Sequence, residues 1–150
     1  MNSPGVYNLG DVALAAINAA TVSTVVTAAN DSAGNAQAYL DGLDGMLAAS
    51  LEANFTYGSS GGTSIKADIF TTLNQGTSWV HVARFAFTTA SAEKVFNLSG
   101  LTPRLAAYTP VTLGDDVAVD GMLGPRWRAS ILTVGVYVGN AALSLRLIGR

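Results

Sequence analysis

From Leu47 to Tyr57 every odd position is apolar, while Ser50, Glu52, Asn54 and Thr56 hold polar side chains among the even ones. A repeat of two is the period of a strand with one dry and one wet face. The same rhythm returns after the loop Gly58–Gly62, where Ile65, Ala67, Ile69 and Leu73 alternate with Lys66, Asp68 and Thr72. Asn74-Gln75-Gly76 then turns the chain into Trp79–Thr88, which reads as covered on both sides: Trp79, Ala83, Phe85 and Phe87 towards one, Val80, Val82 and Ala86 towards the other. Glu93–Ser99 reads as a short strand, and Thr102–Thr112, with two prolines, as a loop or edge segment. Near the C-terminus Leu132, Val134, Val136 and Val138 alternate, Gly139-Asn140 intervenes, and Leu143, Leu145 and Leu147 alternate again, which predicts a hairpin.

Thr21–Thr27 is rich in β-branched residues and predicts the first strand, with turns at 30–34 and 41–45. Residues 1–18 combine Pro4, Gly5 and Gly10 with alanines and show no alternation, so they read as an N-terminal arm or a short helix packed on a body spanning 19–150. About eight or nine strands without a long helix predict an all-β chain, a single antiparallel β-sandwich of jelly-roll or Ig-like type carrying that arm.

Composition narrows what such a body can do. The 150 residues suit one domain. Charged residues are only 12% against roughly 25% in soluble domains, which predicts a surface partly hidden against partners. A net charge of −2 offers no positive field for phosphate backbones, so direct nucleic-acid binding is not expected. Without Cys, disulfides and thiolate chemistry are excluded. Val12–Ala29 carries no charge but is too broken by polar residues for a membrane span or a signal peptide.

Candidate chemistry is sparse. Thr72-Leu-Asn-Gln-Gly-Thr-Ser-Trp79 fits the Asp-box hairpin pattern, in which Thr72, Asn74, Gly76 and Trp79 build a turn rather than an active site. His81 is the single histidine, and no Ser or Asp is placed around it by spacing for a triad. Asp41 with Asp44, and Asp115, Asp116 and Asp120, lie in turns but match no calcium-loop spacing. Arg126-Trp127-Arg128, with Arg146 and Arg150 on the strand taken as its hairpin partner, predicts a basic stripe suited to carboxylates of a neighbouring subunit. No catalytic residue, cofactor or metal site is expected.

The stretch Leu47–Thr63, the hairpin Thr72–Trp79, Phe85–Ala90 and Tyr137-Val-Gly-Asn140 together resemble small virion structural proteins of tailed bacteriophages and prophages. The resemblance covers roughly residues 40–150 and is most like capsid decoration, or cement, proteins. It implies a non-enzymatic protein made in the host cytoplasm that binds the major capsid protein on the capsid exterior and stabilises the head. A homo-oligomer, a trimer among the options, is the expected form. The alternatives are a carbohydrate- or receptor-binding module of a head or tail fibre, with Tyr57, Trp79, Trp127 or Tyr137 as platforms, and a head-to-tail junction adaptor.

Overall fold

Strands rich in alternating apolar residues cannot bury their dry faces alone, and here they do so against one another in two layers. The computed structural model describes residues 4–17, 20–103 and 112–150. Its extended segments are β1 (Gly5–Ala13), β2 (Thr21–Val25), β3 (Ala29–Asn30), β4 (Ala36–Gln37), β5 (Ala48–Thr56), β6 (Ser60–Gly61) and β7 (Ser64–Thr72). They continue with β8 (Val80–Phe87), β9 (Ala92–Ser99), β10 (Val117–Ala118), β11 (Arg126–Val134), β12 (Tyr137–Val138) and β13 (Ala142–Gly149). One sheet has the order β1-β13-β5-β9, the other β10-β8-β7-β11-β2, and β12-β6 and β3-β4 form small separate pairs.

Among the described residues, eight strands are longer than two residues. The first of these pairs with the eighth (β1 with β13), the second with the seventh (β2 with β11), the third with the sixth (β5 with β9) and the fourth with the fifth (β7 with β8), all antiparallel. Successive pairs fall alternately in the two sheets. This nesting is a long hairpin wrapped into two layers, so the β-sandwich has jelly-roll order.

That order corrects the hairpin expected at Gly139-Asn140. β11 and β13 belong to different sheets. The inward residues of β11 are Trp127, Ala129, Ile131 and Thr133, so Leu132 and Val134 point outward and the apparent alternation through Val138 is out of phase with the core. Tyr137 is buried between the layers instead, its hydroxyl donating to the Thr88 carbonyl at 2.8 Å. It packs edge-on to Phe55 and Tyr57, and a Cβ on Gly62 would lie 2.3 Å from its ring.

Two bulges explain two further departures. The segment read as an arm or short helix contains β1, which pairs along its length with β13, and the register slips between Asn8 and Gly10. The extra residue, Leu9, is fully buried, and the slip erases the period of two that would have marked the strand. A single 3₁₀ turn, Leu14–Ala16, follows. In β8 the slip lies opposite Ile69/Phe70, so that Val82 and Ala83 together oppose Ile69. Ala83, Phe85 and Phe87 therefore face the core, while Trp79 and His81 belong to the outer face, not to the Phe85 side as the unbroken alternation predicts.

The core is one continuous cluster, with Leu51, Ala53 and Phe55 of β5 and Leu143, Leu145 and Leu147 of β13 facing Ile65, Ala67 and Ile69 of β7 and Trp127 and Ile131 of β11. Phe85 stacks on Phe96 across the layers at 4.7 Å. On edge strand β9, Lys94 lies over the Phe87 ring and pairs with Asp116 at 2.7 Å, a charge that shields the opening between the sheets from edge-to-edge association. Most of the segment expected as a proline-bearing loop, residues 104–111, lies outside the described residues.

Candidate functional site

In the jelly roll the tip of the wrapped hairpin is the β7–β8 turn, and it is built from the Asp-box residues. Thr72 Oγ1 accepts from the backbone N–H groups of Asn74 (3.3 Å) and Gly76 (3.0 Å), and Asn74 Oδ1 accepts from the Ser78 N–H at 2.9 Å. Gln75 and Gly76 both take positive φ, +60° and +94°. The glycine meets that demand without strain; the glutamine does not. The Trp79 ring lies against Gly76 and continues across the outer face of the five-stranded sheet.

On that face, cross-strand register places Arg128, Phe70 and His81 in one row. The Phe70 and His81 rings stack at 4.8 Å, and the Arg128 guanidinium lies 5.3 Å from the Phe70 ring and 4.3 Å from the Trp79 ring. Trp79 in turn contacts Tyr39 at 6.2 Å, and Arg126 lies over Tyr39 at 4.9 Å. The next row holds Ser130, Asp68 and Arg84. Arg84 grips Asp68 bidentately, Nε to Oδ1 at 2.6 Å and Nη2 to Oδ2 at 2.8 Å.

His81 completes this cluster through both ring nitrogens. Its Nδ1 accepts the Leu113 N–H at 3.2 Å, so the proton sits on Nε2, which donates to the Ala83 carbonyl at 3.0 Å and lies 3.2 Å from Asp68 Oδ1. Burial alone would raise the Asp68 pKa, but the hydrogen bonds from Arg84 and His81 and the charge of Arg84 outweigh it and bring the value to about 2. The cluster fixes the ring that backs Arg128.

The four arginines expected to share a stripe are divided. Arg126 and Arg128 lie on the outer face of the β7–β8–β11 sheet, whereas Arg146 lies on the opposite side of the sandwich, because β13 belongs to the other sheet. Arg150 follows the end of β13, where its backbone pairs with Ala48. Arg146 is bound into a local network: Nη1 and Nη2 donate to the two Asp11 oxygens at 2.9 and 3.1 Å, and Nη1 also donates to Asn8. The Arg146 hydrogen bonds hold the Asp11 carboxyl below its ordinary range, with Ser144 and Asn8 adding to them.

Arg126 is likewise paired, its Nε donating to Asp41 Oδ2 at 3.1 Å and its Nη1 to the Gln75 carbonyl. Arg128 differs. Its Nε is buried without a hydrogen-bond partner, and burial lowers its pKa from the ordinary guanidinium value. No carboxylate among the described residues pairs with it.

Three of the other carboxylates of the sequence reading are engaged separately: Asp115 with Lys66, Asp116 with Lys94 and the Ala86 N–H, and Asp120 with the Ser99 N–H. Among the described residues no three His, Asp or Glu side chains are grouped to hold a metal ion. Phe70, Asp68, Arg84 and Tyr39 were not singled out by sequence. The β7 alternation does place Asp68 on a wet face, but only strand register puts Phe70 and Asp68 beside residues of β8 and β11. Compared with known protein families, curated proteins and solved structures, the chain finds no match.

Proposed function

We propose that this protein is a non-enzymatic assembly unit that docks the outer face of its β7–β8–β11 sheet on a protein partner, and that its setting is the head of a tailed bacteriophage. There it decorates the exterior of the capsid by binding the major capsid protein, as a homo-oligomer with a trimer among the possible forms. The observation that carries the docking reading is the incomplete charge pairing of one face: Arg128 stands stacked and unpaired while Arg146 on the opposite face is saturated. The phage setting rests on the sequence resemblance. Jelly-roll order is in keeping with it, since viral capsid domains use that architecture, but lectins and cupins share it and architecture does not fix function.

The sugar-binding alternative has fewer platforms than its sequence suggested. Trp127 and Tyr137 are buried, and one Trp79 face is met by the Arg128 guanidinium. An adaptor at the head-to-tail junction would differ in forming a ring of fixed copy number, which native mass spectrometry distinguishes from a monomer or trimer.

The direct test mixes purified protein with undecorated, expanded capsids of the cognate phage. Co-sedimentation at a stoichiometry set by the lattice, with a rise in capsid heat resistance, is the expected result, because weak contacts at many copies add through avidity. Capsids that remain bare and gain no resistance overturn the phage setting.

A further inference from the structure

We propose that Arg128 is a receptor for a side-chain carboxylate carried on an acidic segment of the partner protein, with Trp79 and Phe70 as the walls that hold the guanidinium for it. This deepens the docking reading and depends on it for the partner's nature, but the site is argued from its own chemistry. The cations around it have their anions: Arg126 has Asp41, Arg84 has Asp68 and Lys66 has Asp115. Arg128 alone among these four has no anion among the described residues.

A half-buried cation without a counter-ion loses hydration and receives no Coulombic compensation within the chain. The two rings offset part of that cost, since cation–π contacts gain strength as water is removed. They also restrict the guanidinium, so little rotamer freedom remains to be lost on binding. With Nε enclosed, the two terminal amino groups are its open donors. Two parallel N–H groups in one plane match the two oxygens of a carboxylate.

Other anions fit less well. A nucleic acid or other polyanion meets a chain of net charge −2, with Asp41 and Asp68 flanking the site. A single carboxylate is short enough to pair with one arginine without closely approaching either aspartate. Salt screens what field remains beyond about 8–10 Å, so the recognition is local rather than long-range.

The test uses nuclear magnetic resonance on the full chain, reading the Arg128 Nε–H and the indole N–H of Trp79. The Trp127 indole, buried and donating to the Gly124 carbonyl at 2.8 Å, serves as an internal reference. The probes are acetyl-Glu-Gly-Glu-amide, its Gln-Gly-Gln twin, and inorganic phosphate. Saturable shifts at Arg128 and Trp79 with the glutamate peptide are expected, with the Trp127 signal unmoved and the glutamine twin silent. Arg128→Lys, which keeps the charge but loses the fork, should weaken the peptide by at least tenfold.

Silence with the glutamate peptide, equal shifts with its twin, tighter binding of phosphate, or undiminished binding by Arg128→Lys would each overturn the proposal. Capsid binding by a protein whose Arg128 ignores the peptide would sink this inference and leave the docking reading. Peptide binding by a protein that leaves capsids bare would do the reverse.

Discussion

The two outer faces of the sandwich are built from the same kind of strand and end in opposite electrostatic conditions. On the β1–β13–β5–β9 face, Arg146, Asp11, Asn8 and Ser144 close a network in which the cation and carboxylate satisfy each other, and Ser50 bonds Asn97 nearby. On the β7–β8–β11 face, Asp68 is held by two partners while Arg128, one strand away from Phe70, has none. A closed network needs nothing from outside. An arginine held between two aromatic rings and left unpaired is the observation on which the docking proposal rests.

The largest expected difference between the faces comes from removing their carboxylates. Asp68→Ala leaves Arg84 and the His81 ring without the group that joins them in a largely enclosed setting, and should cost about 2–4 kcal/mol. Asp11→Ala removes an exposed partner and should cost about 1 kcal/mol or less. Urea denaturation of both variants checks the pair. Equal losses would mean the faces do not differ in the way their burial indicates.

Acid should separate them next. Asp68 titrates at about 2 in the folded chain against 3.8 for an ordinary Asp, so its contribution is fully present above about pH 4 and is lost as pH falls towards 2. The full shift overstates that contribution because part of the carboxylate meets water, which leaves on the order of 1–2 kcal/mol. Asp11 and Asp116 are also lowered and contribute their own acid loss, so the measurement is a subtraction. Thermal unfolding followed from pH 5 to pH 2 should fall less steeply in Asp68→Asn than in the native chain. Identical slopes would show that Arg84 and His81 do not stabilise the ionised carboxylate.

Much of this contrast was beyond reach of the sequence for definite physical reasons. β5 keeps an unbroken period of two and β7 keeps it as far as Ile69, so their limits were readable to within a residue or so, although Leu73, read as the last dry position of β7, lies exposed beyond its end. β1 and the start of β8 were misread because each bulge inserts one residue and reverses the phase, which hid Leu9 as a core residue and put Trp79 on the wrong side. Partner choice was the greater loss. Nested pairing joins β1 to β13 across almost the whole chain, so no local signal tells Arg146 that it lies opposite Asn8 and within reach of Asp11 rather than beside Arg128. The Arg126 and Arg128 side chains were visible as candidates. Their aromatic walls and the Asp68 cluster became a site only through register.

The smallest and most discriminating effect concerns the two arginines themselves. Arg146→Met removes a paired cation, strands Asp11 and should destabilise by about 1 kcal/mol. Arg128→Met removes a desolvated cation with no partner and replaces it with a polarizable chain that can still lie between Trp79 and Phe70. Stability should stay level or rise by about 0.5–1 kcal/mol, as expected where a group is kept for binding at a cost to folding. In a chain of this size that is a gain of about 1–4 °C in melting temperature. If Arg128→Met instead loses more than about 1 kcal/mol, the cation–π contacts outweigh the missing anion and Arg128 is a structural part of the ladder. The comparison would then reverse, with both faces self-sufficient and docking to be sought elsewhere on the sandwich.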